Sequence, residues 1–368
     1  MPSRDRLVRR RSVLKISGAA LATSLAGCTD MLGGGGEGAE FNVAGAGGGW
    51  GEMRTKTMFD PFNNNEEPWG EHPHTLNYRT VPTQQRYSDS ISDDPAWVLS
   101  ELDHLTAARG AEAGAVLPME EHVDSWENAS PAFQTHEIAG NVVLISGFGI
   151  NRNQIDWEIT SWDDYLDPEL EGRIGLPDWG WLGNHFTWVV NEVKGGTLDN
   201  PDPGFQFIED LLELDPILVT DANHAQELLE QEEMWLCWMP SGRVDNAEIN
   251  TDGEVPTEFV VPEEGTTGLV YDYALLDGHS EQKTEAAKDF LEGVHSAEVQ
   301  AAFAESFGYP PVNPDAFDHI SEETKEKRPS IVLSDEDLEA VEKIDVDWMK
   351  ALETEEEFAD RFRRTVGQ

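Results

Sequence analysis

Strand-like and helix-like patterns alternate along this chain, which predicts an α/β protein whose lobes are built on largely parallel sheets. The scale fits that class: 368 residues suffice for two lobes of ordinary domain size. Hydrophobic residues make up 39%, modest but enough for buried cores, and no internal repeat replaces the alternation.

The N-terminus reads as an address. Arg9, Arg10, Arg11 and Lys15 accompany an apolar run from Val13 to Leu25 that ends in small residues and Cys28. The run is shorter than the roughly 20 apolar residues that cross a bilayer, so it reads as a targeting signal. Arg10-Arg11-Ser12-Val13-Leu14-Lys15 resembles the twin-arginine export motif. Leu25-Ala26-Gly27-Cys28 resembles a lipobox, in which the cysteine becomes the lipidated first residue. Residues 1–27 are expected to be a twin-arginine lipoprotein signal. Residues 28–40, with Gly33 to Gly36 at their centre, are expected to be lipidated Cys28 and a flexible tether. The expected location is the extracellular face of the cytoplasmic membrane, anchored in the lipid bilayer through Cys28.

Globular sequence begins with a short strand pattern at Phe41 to Ala46, then Gly47-Gly48-Gly49-Trp50 and a helix from Glu52 to Phe62. The glycine run lacks the Lys-Ser/Thr of a phosphate loop, so a nucleotide site is not indicated. Val142 to Ile145 and Gly172 to Leu176 read as buried strands, and Phe205, Ile208, Leu211 and Leu212 fall at helical spacing. Asn223 to Gln231 reads as a helix, with Met234 to Trp238 and Phe259 to Val261 as strands. Glu281 to Gly293 and Ala297 to Ser306 are amphipathic helices, and Asp335 to Arg364 is helical and charged.

The formal net charge is −47, and removing Met1 to Gly27 leaves 71 acids against 19 bases. Molar salt shortens the Debye length to about 3 Å and screens such self-repulsion. Evenly scattered acids therefore point to a halophile. No basic stripe exists to neutralise phosphates, which excludes nucleic acid as the expected partner. Beyond Cys28, Cys237 stands alone in an apolar run, as buried structural cysteines do. His72-Pro73-His74 lacks the further spaced ligands that a metal site needs.

Thr160 to Asp178, TSWDDYLDPELEGRIGLPD, resembles a signature of extracellular solute-binding proteins of ABC importers, the polyamine and iron(III) branch in particular. Locally, Ser161 caps a short helix, Trp162 to Leu166, and Gly172 releases the chain into a strand. Glu232 to Arg243, Phe259 to Leu276 and Ala286 to Asn313 resemble further blocks of the family in its order. The resemblance implies a two-lobed periplasmic-binding-protein fold of type II, with hinge strands and a ligand cleft between the lobes. It implies crossings near Gly140 to Ile150 and Val261 to Asp272. Lobe one would then hold 41–139 plus 268–317, and lobe two 140–267 plus 318–368. The implied partners are a small solute and ABC permease subunits, for a protein that is a monomer, needs no cofactor and is not an enzyme.

Twelve tryptophans bear on the ligand. Trp50, Trp179, Trp181 and Trp238 each lie beside Gly or Pro near a strand end, where side chains face an interlobe cleft. Against polyamine-binding members, Trp50 and Trp238 fall on aromatic positions and Asp272 on the carboxylate that binds an amine. An aromatic face attracts an organic cation by about 0.5–2 kcal/mol, and a buried Asp adds a charge-assisted hydrogen bond. The ligand-binding set expected is Trp50, Trp179, Trp181, Trp238, Tyr271 and Asp272. The chain departs from the polyamine pattern where an acidic pair is replaced by Trp179-Gly180-Trp181-Leu182, and either Val270 or Tyr271 stands for the aromatic before Asp272. Losing one carboxylate end suits a compact organic cation, such as a quaternary amine or a thiamine-like ring, better than a long diamine.

Three alternatives stay open. Arg243 is suited to a carboxylate or phosphonate, giving an anionic or zwitterionic ligand. Iron(III) is the sibling ligand, but Tyr271 and Tyr273 flank Asp272 instead of adjoining, as iron-binding tyrosines do. A secreted hydrolase would need carboxylates facing across a substrate, and Glu232-Glu233 and Asp163-Asp164 are neighbours that diverge; no GxSxG elbow occurs.

Overall fold

The computed structural model describes residues 38–344 and 346–367. The twin-arginine motif, the lipobox with Cys28 and most of the tether lie outside the described residues.

One mixed sheet forms the spine. Its strands are β1 (Glu40–Gly45), β2 (Thr75–Thr80), β3 (Leu99–Asp103), β4 (Val142–Asn151), β7 (Leu236–Pro240), β8 (Thr257–Val260) and β9 (Gly268–Leu275). Their order is β2-β1-β3-β9-β4-β7, with β8 also paired to β4. β5 (Gly175–Pro177) and β6 (Ile217–Val219) pair in parallel beside it, and Ile174 bridges to Leu236. β1 is parallel to β2 and β3, whereas every pairing of β4 and of β9 is antiparallel. The α/β class expected from the alternation is present, but the main sheet is mixed instead of largely parallel. The physical reason is β9, a late strand that returns antiparallel between β3 and β4.

β4 joins two hydrophobic cores. Its first part, Val142 to Ile145, pairs with Tyr271 to Gly268 of β9. Its second part pairs with β7 from Ser146 to Ile150 and with β8 from Phe148 to Asn151. Gly147 sits at the changeover, where a Cβ would stand 2.6 Å from the carbonyl oxygen of Val260; only glycine allows so close a crossing. The first core gathers Val43, Leu76, Leu99, Tyr273, Phe290 and Phe303. The second gathers Phe148, Trp162, Leu176, Phe186, Trp238 and Phe358. The helices Glu281–Val294 and Ala297–Phe307 lie on the first core, and Asn184–Val193, Asp202–Leu212 and Glu355–Val366 on the second.

Local differences from the sequence reading have local causes. The helix expected from Glu52 starts at Gly48 and widens into a π-segment at Thr55–Phe59. Trp162 to Leu166 yields only a 3-10 turn, Asp164–Leu166. There the Ser161 hydroxyl donates to Glu264 while Asp164 accepts the amides of Thr160 and Ser161. The charged C-terminus breaks into three helices, Asp335–Glu342, Trp348–Glu353 and Glu355–Val366. No helix of the described residues is long and apolar enough to cross a membrane.

Candidate ligand-binding site

The second half presents helix beginnings to the first half. β5 runs into the turn Trp179–Gly183, β6 into the helix Ala222–Glu230, and β7 into the helix Ser241–Asn250. Ligands in α/β folds bind outside such carboxyl ends of strands. Opposite stand the beginning of the helix Gly48–Arg54, the centres of β4 and β9, and the end of Ala297–Phe307. The halves approach closely here: a Cβ on Gly242 would lie 2.4 Å from the Gly308 carbonyl oxygen.

Between them is a chamber of about 250 Å³. Its walls are Trp50, Leu144, Leu269, Tyr271, Phe307 and Tyr309 from one side, and Trp181, Leu182, Ala222, Pro240 and Arg243 from the other. Trp50 is held edge-on to Phe303 and Phe307 with centroids 5.1 and 5.0 Å apart, and its indole N–H donates to Glu101 at 2.6 Å. The Arg54 guanidinium lies over one face of the ring, 4.8 Å from its centroid, so a ligand can meet only what the ring leaves toward the chamber. Trp181 makes no close ring pair among the described residues; it packs against the second core and the cluster holding Val219 and Met239, and lines the chamber.

Among the described residues, Arg243 is the one charged group on the wall. Its Nη1 donates to Asn223 at 3.0 Å and Gln226 at 3.2 Å, both neutral. Its Nε is buried without a partner, and among the described residues it forms no ion pair. No side chain caps the helix on which it sits, because the cap position is Pro240. Guanidinium and helix N-terminus thus place positive potential in the chamber, and among the described residues no anion on its wall meets it. Beside Arg243, burial holds the Tyr309 phenol protonated although the guanidinium opposes this.

A second chamber of about 190 Å³ borders the first and shares Trp181, Leu269 and Tyr271 with it. It adds Tyr87, Asp103, Thr106, Arg109, Asn184, His185 and Glu355. Arg109 and Glu355 pair at 3.3 Å across the two halves, half exposed. Asp103 is buried; its Oδ1 accepts the Thr106 amide at 2.9 Å, and its Oδ2 the hydroxyls of Tyr87 at 2.6 Å and Thr106 at 2.8 Å. Burial raises its carboxyl, but these hydrogen bonds outweigh it and hold the group below the usual range. Burial, reinforced by the charge of Asp103, pushes the Tyr271 phenol well above its ordinary value.

The structure brings together Trp50, Trp181 and Tyr271 from the expected set, and separates the other three from the chambers. Asp272 is fully buried within the first half, accepting from Asn141 at 2.8 Å and the amides of Gly140 and Tyr273, with His295 at 2.8 Å. Alternation along β9 turns it away from the face that carries Tyr271. Trp238 lies opposite Phe148 in the second core, and its indole N–H donates to Thr266 at 3.2 Å. It braces the connection between β8 and β9 instead of facing the cleft. Trp179 packs on Phe362 and Trp188. Cys237 is buried, its thiol pushed up to about 12 by burial. His72 stacks on Phe62, and the described residues hold no cluster of three metal-ligating side chains. Phe307, Tyr309, Asp103 and His185 are outside the set expected from sequence, although Phe307 and Tyr309 fall within the family block Ala286 to Asn313.

Residues 58–329 match the family model of bacterial extracellular solute-binding proteins. No curated protein sequence gives a significant match. Similar solved structures include an ABC transporter from Clostridium perfringens, 17% identical with a TM-score of 0.71, covering 88% of this chain and 99% of its own. The Atu4243-GABA receptor is 16% identical with a TM-score of 0.70, covering 89% and 97%. A spermidine/putrescine transporter substrate-binding protein from Streptococcus pneumoniae is 16% identical with a TM-score of 0.63, covering 82% and 91%. At these identities the likeness carries the two-lobed fold.

Proposed function

Since this chain belongs to the family of bacterial extracellular solute-binding proteins, we propose that it is a non-enzymatic receptor of an ABC importer and captures a small organic solute bearing a carboxylate or equivalent anionic group. Arg243 carries this reading. An unpaired guanidinium in the cleft of a chain with net charge −47 is an anion receptor, because any spare carboxylate of the protein would otherwise claim it. The two bordering chambers, about 250 and 190 Å³, together lie toward the lower end of the ~300–1,000 Å³ of drug-sized pockets, so the solute is small.

The organic cation expected from sequence enters as the other end of a zwitterion, with Trp50, Trp181 and Tyr271 supplying aromatic faces. A GABA receptor stands among the structural neighbours, and γ-aminobutyrate is such a zwitterion. A quaternary amine without an acid group is the second reading, favoured by those faces alone. A diamine is disfavoured because Asp272 lies outside the chambers and, among the described residues, no carboxylate lines the first one.

The rest of the reading follows from sequence and fold together. The twin-arginine motif and the lipobox support a monomeric receptor of a halophile, lipid-anchored through Cys28 at the extracellular face of the cytoplasmic membrane beside its permease. The lobes divide at β4 and at the β8–β9 connection and close on the solute as hinged bodies.

A thermal-shift and tryptophan-fluorescence screen of the mature protein in molar salt tests the reading. Monocarboxylates, γ-aminobutyrate, glycine betaine, choline and putrescine are compared. The expected result is a response to carboxylate-bearing solutes and none to putrescine. A response to putrescine or choline without any response to carboxylates overturns it.

A further inference from the structure

The second chamber holds the opposite charge from the first. Asp103 accepts three hydrogen bonds, all from neutral donors, and among the described residues it forms no ion pair. Its role as N-cap of the helix His104–Glu112 accounts for the Thr106 amide on Oδ1, and not for the burial of an ionised Oδ2 on a cavity wall. Buried carboxylates are ordinarily paired with a cation. A carboxylate offers about four lone-pair sites, so one remains after these three bonds.

A second observation points into the same space. His185 is 4% exposed, lines the chamber, and its Nδ1 has no hydrogen-bond partner. The ring is neutral, because burial pushes its pKa down to about 3, so in the tautomer with Nδ1 unprotonated it is an acceptor. Asn184 adds an amide on the same wall. An unpaired carboxylate, a neutral acceptor and an amide oxygen are the complement of an ammonium group with three N–H donors. The shared border of Trp181, Leu269 and Tyr271 makes the two chambers parts of one cleft.

We propose that the second chamber is an ammonium subsite centred on Asp103 and His185, and that the ligand is a charge-separated zwitterion of the ω-amino acid class. Its carboxylate lies on Arg243, its amine on Asp103, and its methylene chain passes Trp181 and Tyr271. The proposal rests on the reading of Arg243 as the anion receptor and adds the identity of the other end.

Isothermal titration calorimetry of the mature protein in molar salt tests both ends separately. The probes are γ-aminobutyrate, δ-aminovalerate and ε-aminocaproate, each against the matching straight-chain carboxylate. One ω-amino acid is expected to bind about tenfold or more tighter than its carboxylate, the equivalent of one charge-assisted bond. Asp103→Asn keeps the cap acceptor and the shape; it should lower ω-amino acid affinity to that of the carboxylate and leave the carboxylate unchanged. Equal binding of amino acid and carboxylate by the unaltered protein overturns the proposal while sparing Arg243, and needs no folded variant. An equal loss for both probes in Asp103→Asn also overturns it. If no carboxylate binds at all, the reading of Arg243 fails and this proposal falls with it.

Discussion

The indole nitrogen of Trp50 donates to the Glu101 carboxylate at 2.6 Å, and this bond ties the wall of the cleft to a buried polar network. Glu101 also accepts from Arg54 at 3.0 Å, Arg54 donates to Asn141 at 2.6 Å, and Asn141 donates to Asp272. Trp50→Phe keeps a ring in the chamber and removes one donor from Glu101. It should cost about 1–2 kcal/mol of stability with affinity changed less than about threefold. Denaturant unfolding and calorimetry on the same preparation check the two effects.

At the far end of that network, Asp272 serves the fold and not the ligand. Asp272→Ala strips the Asn141 Nδ2 and His295 Nε2 of their buried partner, which should cost about 3 kcal/mol or more. Solute affinity of the protein that remains folded should be unchanged. A variant with normal stability and lost affinity would return Asp272 to the ligand site.

Trp181 borders both chambers and pairs with no other ring among the described residues. Trp181→Ala should weaken the bound solute about tenfold while lowering stability by about 1 kcal/mol or less. It should also remove most of the solute-induced fluorescence change, which steady-state emission reads directly.

Acid should unfold the protein partly through His185. Burial holds its imidazole at about 3, whereas an unfolded histidine titrates near 6.5. The unfolded state takes the proton first, so this contribution is intact above about pH 6.5 and is lost progressively toward pH 3. By about pH 5 the loss is about 2 kcal/mol. Asp245 acts in the opposite sense: burial holds it up at about 6, so the fold retains its proton while the unfolded carboxyl ionises, and stability falls as pH rises from about 4 to 6. The diagnostic quantity is therefore the difference between unaltered protein and His185→Gln, which should narrow as pH falls from 6.5.

The fold class was legible because Val142 to Ile145 and Met234 to Trp238 are apolar enough to read as buried strands. β2 and β3 were not, since TLNYRT and LSELD carry polar residues whose burial depends on distant partners; Glu101 is buried only because Arg54 and Trp50 come to it. Trp50 and Trp181 drew notice by their places at strand ends and Tyr271 by the family resemblance around Asp272, and all three line the chambers. Trp238 and Asp272 were misplaced for one shared reason, the face on which strand alternation puts them. Counting by two along β7 from Leu236, a core residue, would have turned Trp238 inward. Asp103 and His185 gave no local signal, because β3 and the helix Asn184–Val193 meet only across the cleft.

Arg243→Gln tests the central claim most directly. Glutamine can still meet Asn223 and Gln226 but carries no charge. Calorimetry with the carboxylate solute that binds the unaltered protein most tightly should show a loss of about 100-fold or more, with the unfolding midpoint held. Unchanged affinity in a folded Arg243→Gln protein would contradict the account.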